Sequence, residues 1–187
     1  MNPHSPFTGT LLLPDRQPFG TLAPVTLASG EPVASIRWHR WTARARFDVL
    51  DAGGQGVLAE GGREGMFGRR YSVAAPGGSS LVWVEFGFWG LGRAAVTLPG
   101  GVQLTAEGNW SGRKYAIADG AGSPVAQLAS TGTFFSLRQD SFALELVQPV
   151  LSIVQAAGLV QVIRAAVEAR RNSAAAGGAS AAAIAGG

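Results

Sequence analysis

Short runs of alternating apolar and polar residues, broken by glycine, aspartate and proline, fill most of the chain, and one long apolar run follows them near its end. Three of the alternating stretches, RFDVLDAGGQGVLAE, RYSVAAPGGSSLVWVE and KYAIADGAGSPVAQL, share one plan. Each opens on a basic–aromatic pair (Arg46-Phe47, Arg70-Tyr71, Lys114-Tyr115) with an aliphatic residue two positions on (Val49, Val73, Ile117). A glycine-rich turn and a second short strand follow. AAVTLPGGVQLTAE is a shorter version turning at Pro99-Gly100-Gly101, and TFFSLRQDSFALELVQP supplies a last pair, Thr133 to Leu137 and Phe142 to Val147. Successive side chains of a strand face opposite sides, so this alternation predicts half-buried antiparallel hairpins. No helical crossover separates them, which argues against a parallel sheet and for an all-β barrel or sandwich.

The apolar run PVLSIVQAAGLVQVIRAAVEARR, residues 149 to 171, has a different pattern. Pro149 suits the first turn of a helix, where its missing N–H costs nothing. Val150, Leu151, Ile153, Val154, Ala157, Leu159 and Val160 are not confined to one face. A helix apolar almost all round, beside many strands, predicts a core element enclosed by them. A membrane span needs a core of roughly 30 Å to be crossed, whereas Val150 to Ile163 reaches only about 21 Å at about 1.5 Å per residue. Ser152, Gln155 and Gln161 interrupt it, and Arg164, Glu168 and Arg171 predict a polar stripe on the last turns. The helix is therefore expected at about 149–171, with Val150, Ile153, Val154, Ala157 and Val160 in the core and no transmembrane span. Residues 1–20 read as an irregular Pro/Gly-rich arm, 21–171 as a single barrel domain, and 172–187 as a disordered Ala/Gly tail.

Composition narrows the function classes. The chain has 187 residues, 47% of them hydrophobic and 14% charged, which suits one domain with a substantial core. Its formal net charge of +3 is too mild to demand a nucleic-acid partner. It has no cysteine, which excludes disulfides, thiolate metal sites and cysteine nucleophiles. The N-terminus lacks a charged segment ahead of an apolar run, so no signal peptide is expected and the expected location is cytoplasmic, with peripheral contact at the membrane allowed.

The stretch EGNWSGRKYAIADGAGSPVAQL, followed by DSFALELVQPVLSIVQAAGLVQVI, resembles the LURP-one-related, tubby C-terminal and phospholipid-scramblase-like superfamily. The shared pattern is Gly–aromatic, basic–aromatic, a strand, an Asp-Gly-type turn, then an aspartate-led strand into an apolar helix. With the earlier hairpins the resemblance spans about residues 40 to 170. It implies a closed, twelve-stranded antiparallel barrel threaded by the C-terminal helix. The functions it implies are scattered: phosphoinositide binding and transcriptional roles in tubby proteins, calcium-linked lipid effects in scramblases, defence-associated proteins in plants. The proline-rich N-terminal region and cysteine cluster of animal scramblases are absent here, which argues against lipidation and scrambling.

Candidate chemistry is sparse. The two histidines, His4 and His39, have no nucleophile motif or ligand spacing beside them. GLGRAA from Gly90 matches a dinucleotide loop formally, but a strand and not a helix is expected after it. Asp51, Asp119 and Asp140 each stand nearly alone in or beside turns, where aspartate is a standard residue, so turn chemistry is favoured over a calcium site. FGFWG, residues 86 to 90, is either an exposed aromatic loop or buried beneath a barrel end.

IRWHRWTARARFDV, residues 36 to 49, is the most functional-looking segment. Trp41, Ala43, Ala45, Phe47 and Val49 alternate as an inward face, with Thr42, Arg44, Arg46 and Asp48 outward. Ile36 and Trp38 hold the opposite phase, which requires a bulge or turn near His39-Arg40. Arg37, Arg40, Arg44 and Arg46, with Trp38 nearby, could form a basic patch for anionic headgroups or phosphates. The competing reading is a solvated face whose arginines pair with Asp48 or neighbouring acids. GRR at 68–70 and GRK at 112–114 would extend the patch if the barrel brought them together. The expected function is thus a non-enzymatic barrel module binding an anionic membrane surface, a phosphoinositide-like ligand or another phosphorylated ligand. A protein-interaction domain is the alternative and scramblase-type activity the third. No cofactor or metal is expected.

Overall fold

The computed structural model describes residues 1–14, 22–39, 45–65, 69–87, 92–109, 113–131 and 141–184, the last with its side chains to 173. Within these residues the alternating segments form β1 (Gly9–Leu13), β2 (Ala23–Leu27), β3 (Pro32–His39), β4 (Arg46–Leu50), β5 (Val57–Arg63) and β6 (Arg70–Ala74). They continue as β7 (Ser80–Phe86), β8 (Arg93–Thr97), β9 (Gln103–Gly108), β10 (Lys114–Asp119), β11 (Pro124–Ser130) and β12 (Phe142–Leu146), and α1 (Ile153–Ile184) follows. The strands pair antiparallel in chain order, and β1 pairs with β12 to close the barrel.

The alternation sorts the two sides of the wall. Along β7, Val82, Val84 and Phe86 are buried while Trp83 and Glu85 are exposed. The inner faces surround α1, whose residues from Ile153 to Ala166 are buried apart from the half-buried Gln155. Each fully buried Leu, Ile or Val side chain contributes about 1.5–3 kcal/mol by leaving water. The barrel is a filled core and the helix is its filling. No helix among the described residues is long and apolar enough to cross a membrane.

Three expectations need correction. The arm expected at 1–20 contains β1, because Leu11 and Leu13 present an alternating face to the core and their strand supplies the closing hydrogen bonds. The helix begins at Ile153 and not near Pro149, so the half-buried Val150 precedes it. Its start is set by a capping box: the Gln155 amide donates to Ser152 Oγ at 3.2 Å and the Ser152 amide to Gln155 Oε1 at 2.9 Å. The helix also runs on to Ile184 through the segment expected to be disordered, in keeping with the high helix propensity of alanine. The strand expected at Thr133–Leu137 lies outside the described residues.

Arg164 also departs from the expected polar stripe. It is buried at 6% exposure, donates to the Pro14 carbonyl at 3.2 Å and lies 5.2 Å from the Phe142 ring centroid. The end of β1 and the start of β12 thus meet the helix at one cation.

Candidate functional site

The two phases fall on two strands, and the residues that join them, 40 to 44, lie outside the described residues. β3 ends at His39 and β4 starts at Arg46, so Ile36, Phe47 and Val49 all point inward. Arg40, Arg44, Trp41 and Ala43 lie outside the described residues. Trp38 does not join the outer patch. It is half-buried against the core and packs on Phe47 across the hairpin, with ring centroids 5.3 Å apart.

On the outer side, register brings four ionisable side chains together. Arg37 lies opposite Asp48 and His39 opposite Arg46. The Arg37 guanidinium donates to Asp48 Oδ2 through Nε at 2.9 Å and Nη2 at 2.6 Å. His39 Nε2 lies 2.9 Å from Asp48 Oδ1. Asp48 is 6% exposed beneath these two side chains, so its charge is buried but paired on both oxygens. Arg37 is therefore committed to Asp48, the outcome foreseen by the competing reading of the patch. Arg46 is different: it is exposed and, among the described residues, in no ion pair.

These residues line a groove of about 700 Å³ across β3 to β6. Its floor is low because Gly62 lies opposite both Arg46 and Ser72, and Ala74 lines the groove beside Ser72. A Cβ at Gly62 would stand 2.8 Å from the Ala45 carbonyl oxygen, so the floor admits no larger residue without moving that strand end. Arginines 37, 46 and 63 are balanced by Asp48, Glu60 and Glu64 along the lining. The sequence missed this balance because Glu60 and Glu64 lie more than ten residues from the arginine run.

Other candidates fall elsewhere. Arg70 is two strands from β4 and faces Glu85 at 3.4 Å. Lys114, on β10, is six strands from β4 and on another side of the barrel. β8 begins within GLGRAA, at Arg93, so no helix N-terminus is there to hold a pyrophosphate. Phe86 of FGFWG is buried at 3% exposure, and residues 88 to 90 lie outside the described set. His4 is exposed, its amide donating to Asn2 Oδ1 at 3.0 Å.

Asp51 and Asp119 are turn residues. Asp51 accepts from the amides of Gln55 and Gly56 at 3.0 and 2.9 Å, and those bonds hold its carboxyl below the usual range. Asp119 accepts from Ala121 and Ser123 at 2.9 and 2.8 Å. Asp140 lies outside the described residues. Among those residues, no group of three His, Asp or Glu side chains could hold a metal ion.

Compared with known proteins, the chain matches no family and no curated sequence. Its fold is similar to the X-ray structure of a protein from Arabidopsis thaliana, AT5G01750, at a TM-score of 0.60 and 15% identity, covering 87% of this chain and 94% of that one.

Proposed function

We propose that this barrel is a non-enzymatic binding module of the LURP-one/scramblase-like kind, whose outer groove takes a phosphate group. The phosphate is either that of a lipid headgroup or that of a soluble ligand. The observation that supports this reading is Arg46, exposed beside His39 and above the low floor at Gly62 while Arg37 is held by Asp48. A guanidinium free to rotate over open floor can meet two oxygens of a phosphate at once. The interior is filled by α1, so the outer wall is the surface offered to a ligand.

The balanced lining makes the contact weak and dependent on ionic strength, because exposed charges are screened within about 10 Å at 0.1 M salt. The test is flotation with neutral and anionic vesicles at low and high salt, run beside calorimetry with inorganic phosphate. Binding should be lost at high salt and weakened roughly tenfold by Arg46→Glu, the scale of one charge-assisted hydrogen bond. Vesicle binding would assign the phosphate to a lipid, and phosphate binding without flotation to a soluble ligand. No binding in either arm would overturn the proposal in favour of a protein partner.

A further inference from the structure

The lining of the groove ends on β6, and β7 lies beside it. Register carries one outward row across the wall: Arg46 lies opposite Gly62, Gly62 opposite Ser72, and Ser72 opposite Trp83. Three strand spacings of about 4.8 Å put Trp83 about 14 Å from Arg46, backbone to backbone, and the arginine side chain shortens the gap. Between them stand only a glycine and a serine, with Ala74 beside Ser72. Trp83 is 41% exposed. A lone exposed aromatic needs no explanation, but this one stands where the small-residue floor ends. An indole offers a flat face on which a ring can stack.

The charges limit what the other end accepts. Three arginines meet three carboxylates, and Glu60 on β5 and Glu64 just past its end flank Gly62 two positions away on either side. A polyanion reaching past Arg46 and His39 would meet those carboxylates. A single phosphate at the Arg46–His39 edge would not.

We infer that the groove, with Trp83 on the neighbouring strand, recognises a phosphate monoester bearing a ring, with the phosphate at Arg46 and the ring on the face of Trp83. This rests on the phosphate reading above and adds the ring. The ring can be a nucleobase or a sugar, since both present a face that an indole covers.

The test is calorimetric titration of the intact chain at low salt with inorganic phosphate, ribose 5-phosphate and adenosine 5′-monophosphate. At least one ester should bind about tenfold or more tightly than inorganic phosphate, the scale of one base–aromatic stack. Trp83→Ala should abolish that preference and leave inorganic phosphate binding unchanged, whereas Trp83→Phe should keep part of it. Arg46→Ala should weaken all three ligands alike. An advantage for the nucleotide over ribose 5-phosphate assigns the ring to a base, and equal affinities assign it to the sugar. If all three bind alike, or the preference survives Trp83→Ala, the ring inference is overturned and the phosphate site stands. If none binds, the ring inference falls, and the phosphate reading falls with it unless anionic vesicles are bound.

Discussion

Phe47 and Tyr115 show how single residues build the inner wall. Each follows a basic residue at the start of a strand, and each lies opposite a glycine, Gly61 and Gly108, over which its ring folds. A methyl group on either glycine would overlap the ring, so the aromatic fills the space its partner leaves. The chain's two tyrosines are both buried, Tyr71 at 3% and Tyr115 at 2% exposure. Burial pushes both phenols up, Tyr115 to about 12, and Arg63 and Arg170 pull Tyr71 and Tyr115 part of the way back. A folded pKa above the unfolded value of 10.0 stabilises the fold below pH 10, and that stability is lost as pH rises through about 12. Absorbance titration should therefore show no phenolate step near pH 10 in the native protein and a full one in urea. A native step at pH 10 would contradict the burial of these rings. The inward direction of Phe47, Tyr71 and Tyr115 was legible from their two-residue spacing to Val49, Val73 and Ile117. Their glycine partners were not, because a cross-strand neighbour is fixed by register and turn length. Arg164 was misread for the same reason: helical spacing placed it with Glu168 and Arg171, while its partners Pro14 and Phe142 come from distant strands.

At the scale of elements, two of the three polar residues that seemed to interrupt the apolar run are what begins the helix. Ser152 and Gln155 exchange amide and side-chain bonds, and Gln155 Nε2 also donates to the Leu81 carbonyl at 3.2 Å, fastening the helix start to β7. The spacing of serine and glutamine was present in the sequence, but the run was weighed for membrane length and its cap overlooked. Gly158 has a related meaning. Glycine inside a helix costs about 1 kcal/mol relative to alanine, so Gly158→Ala would stabilise an exposed helix. Here the added Cβ would stand 2.9 and 3.1 Å from the two methyl groups of Val73 on β6. Overpacking of this kind costs about 1–3 kcal/mol, so Gly158→Ala should destabilise the barrel in urea denaturation. Combined with Val73→Ala, it should cost less than the two single substitutions summed. Strict additivity would show that the helix does not approach β6 so closely.

The whole molecule was largely legible as an architecture and barely so as a site. Alternation, turns and one enclosed helix sufficed for an all-β barrel or sandwich, and the resemblance to the superfamily implied the closed twelve-stranded form. The edge that closes it was missed because Leu11 and Leu13 sit in a segment dominated by proline and glycine. Removing residues 1–13 should leave β2 and β12 with open edges, and open edges invite association. The shortened chain should show no cooperative thermal transition by circular dichroism and should elute as aggregate, whereas a folded monomer would mean that β1 is dispensable. The site depends on β3 to β7 lying side by side, a relation that no local pattern contains. The position of α1 has one more consequence, in the order of synthesis. The residue that completes the buried helix, Ala166, lies 36 positions after the end of β11 at Ser130. At about 5–20 residues per second, roughly 2–7 s pass between them on the ribosome. Throughout that interval eleven strands, joined by β12 partway through, have an apolar inner face whose filling is still incomplete. The nascent chain is at its stickiest just before its helix is made, and its yield in a cell should depend on the chaperones that meet it there.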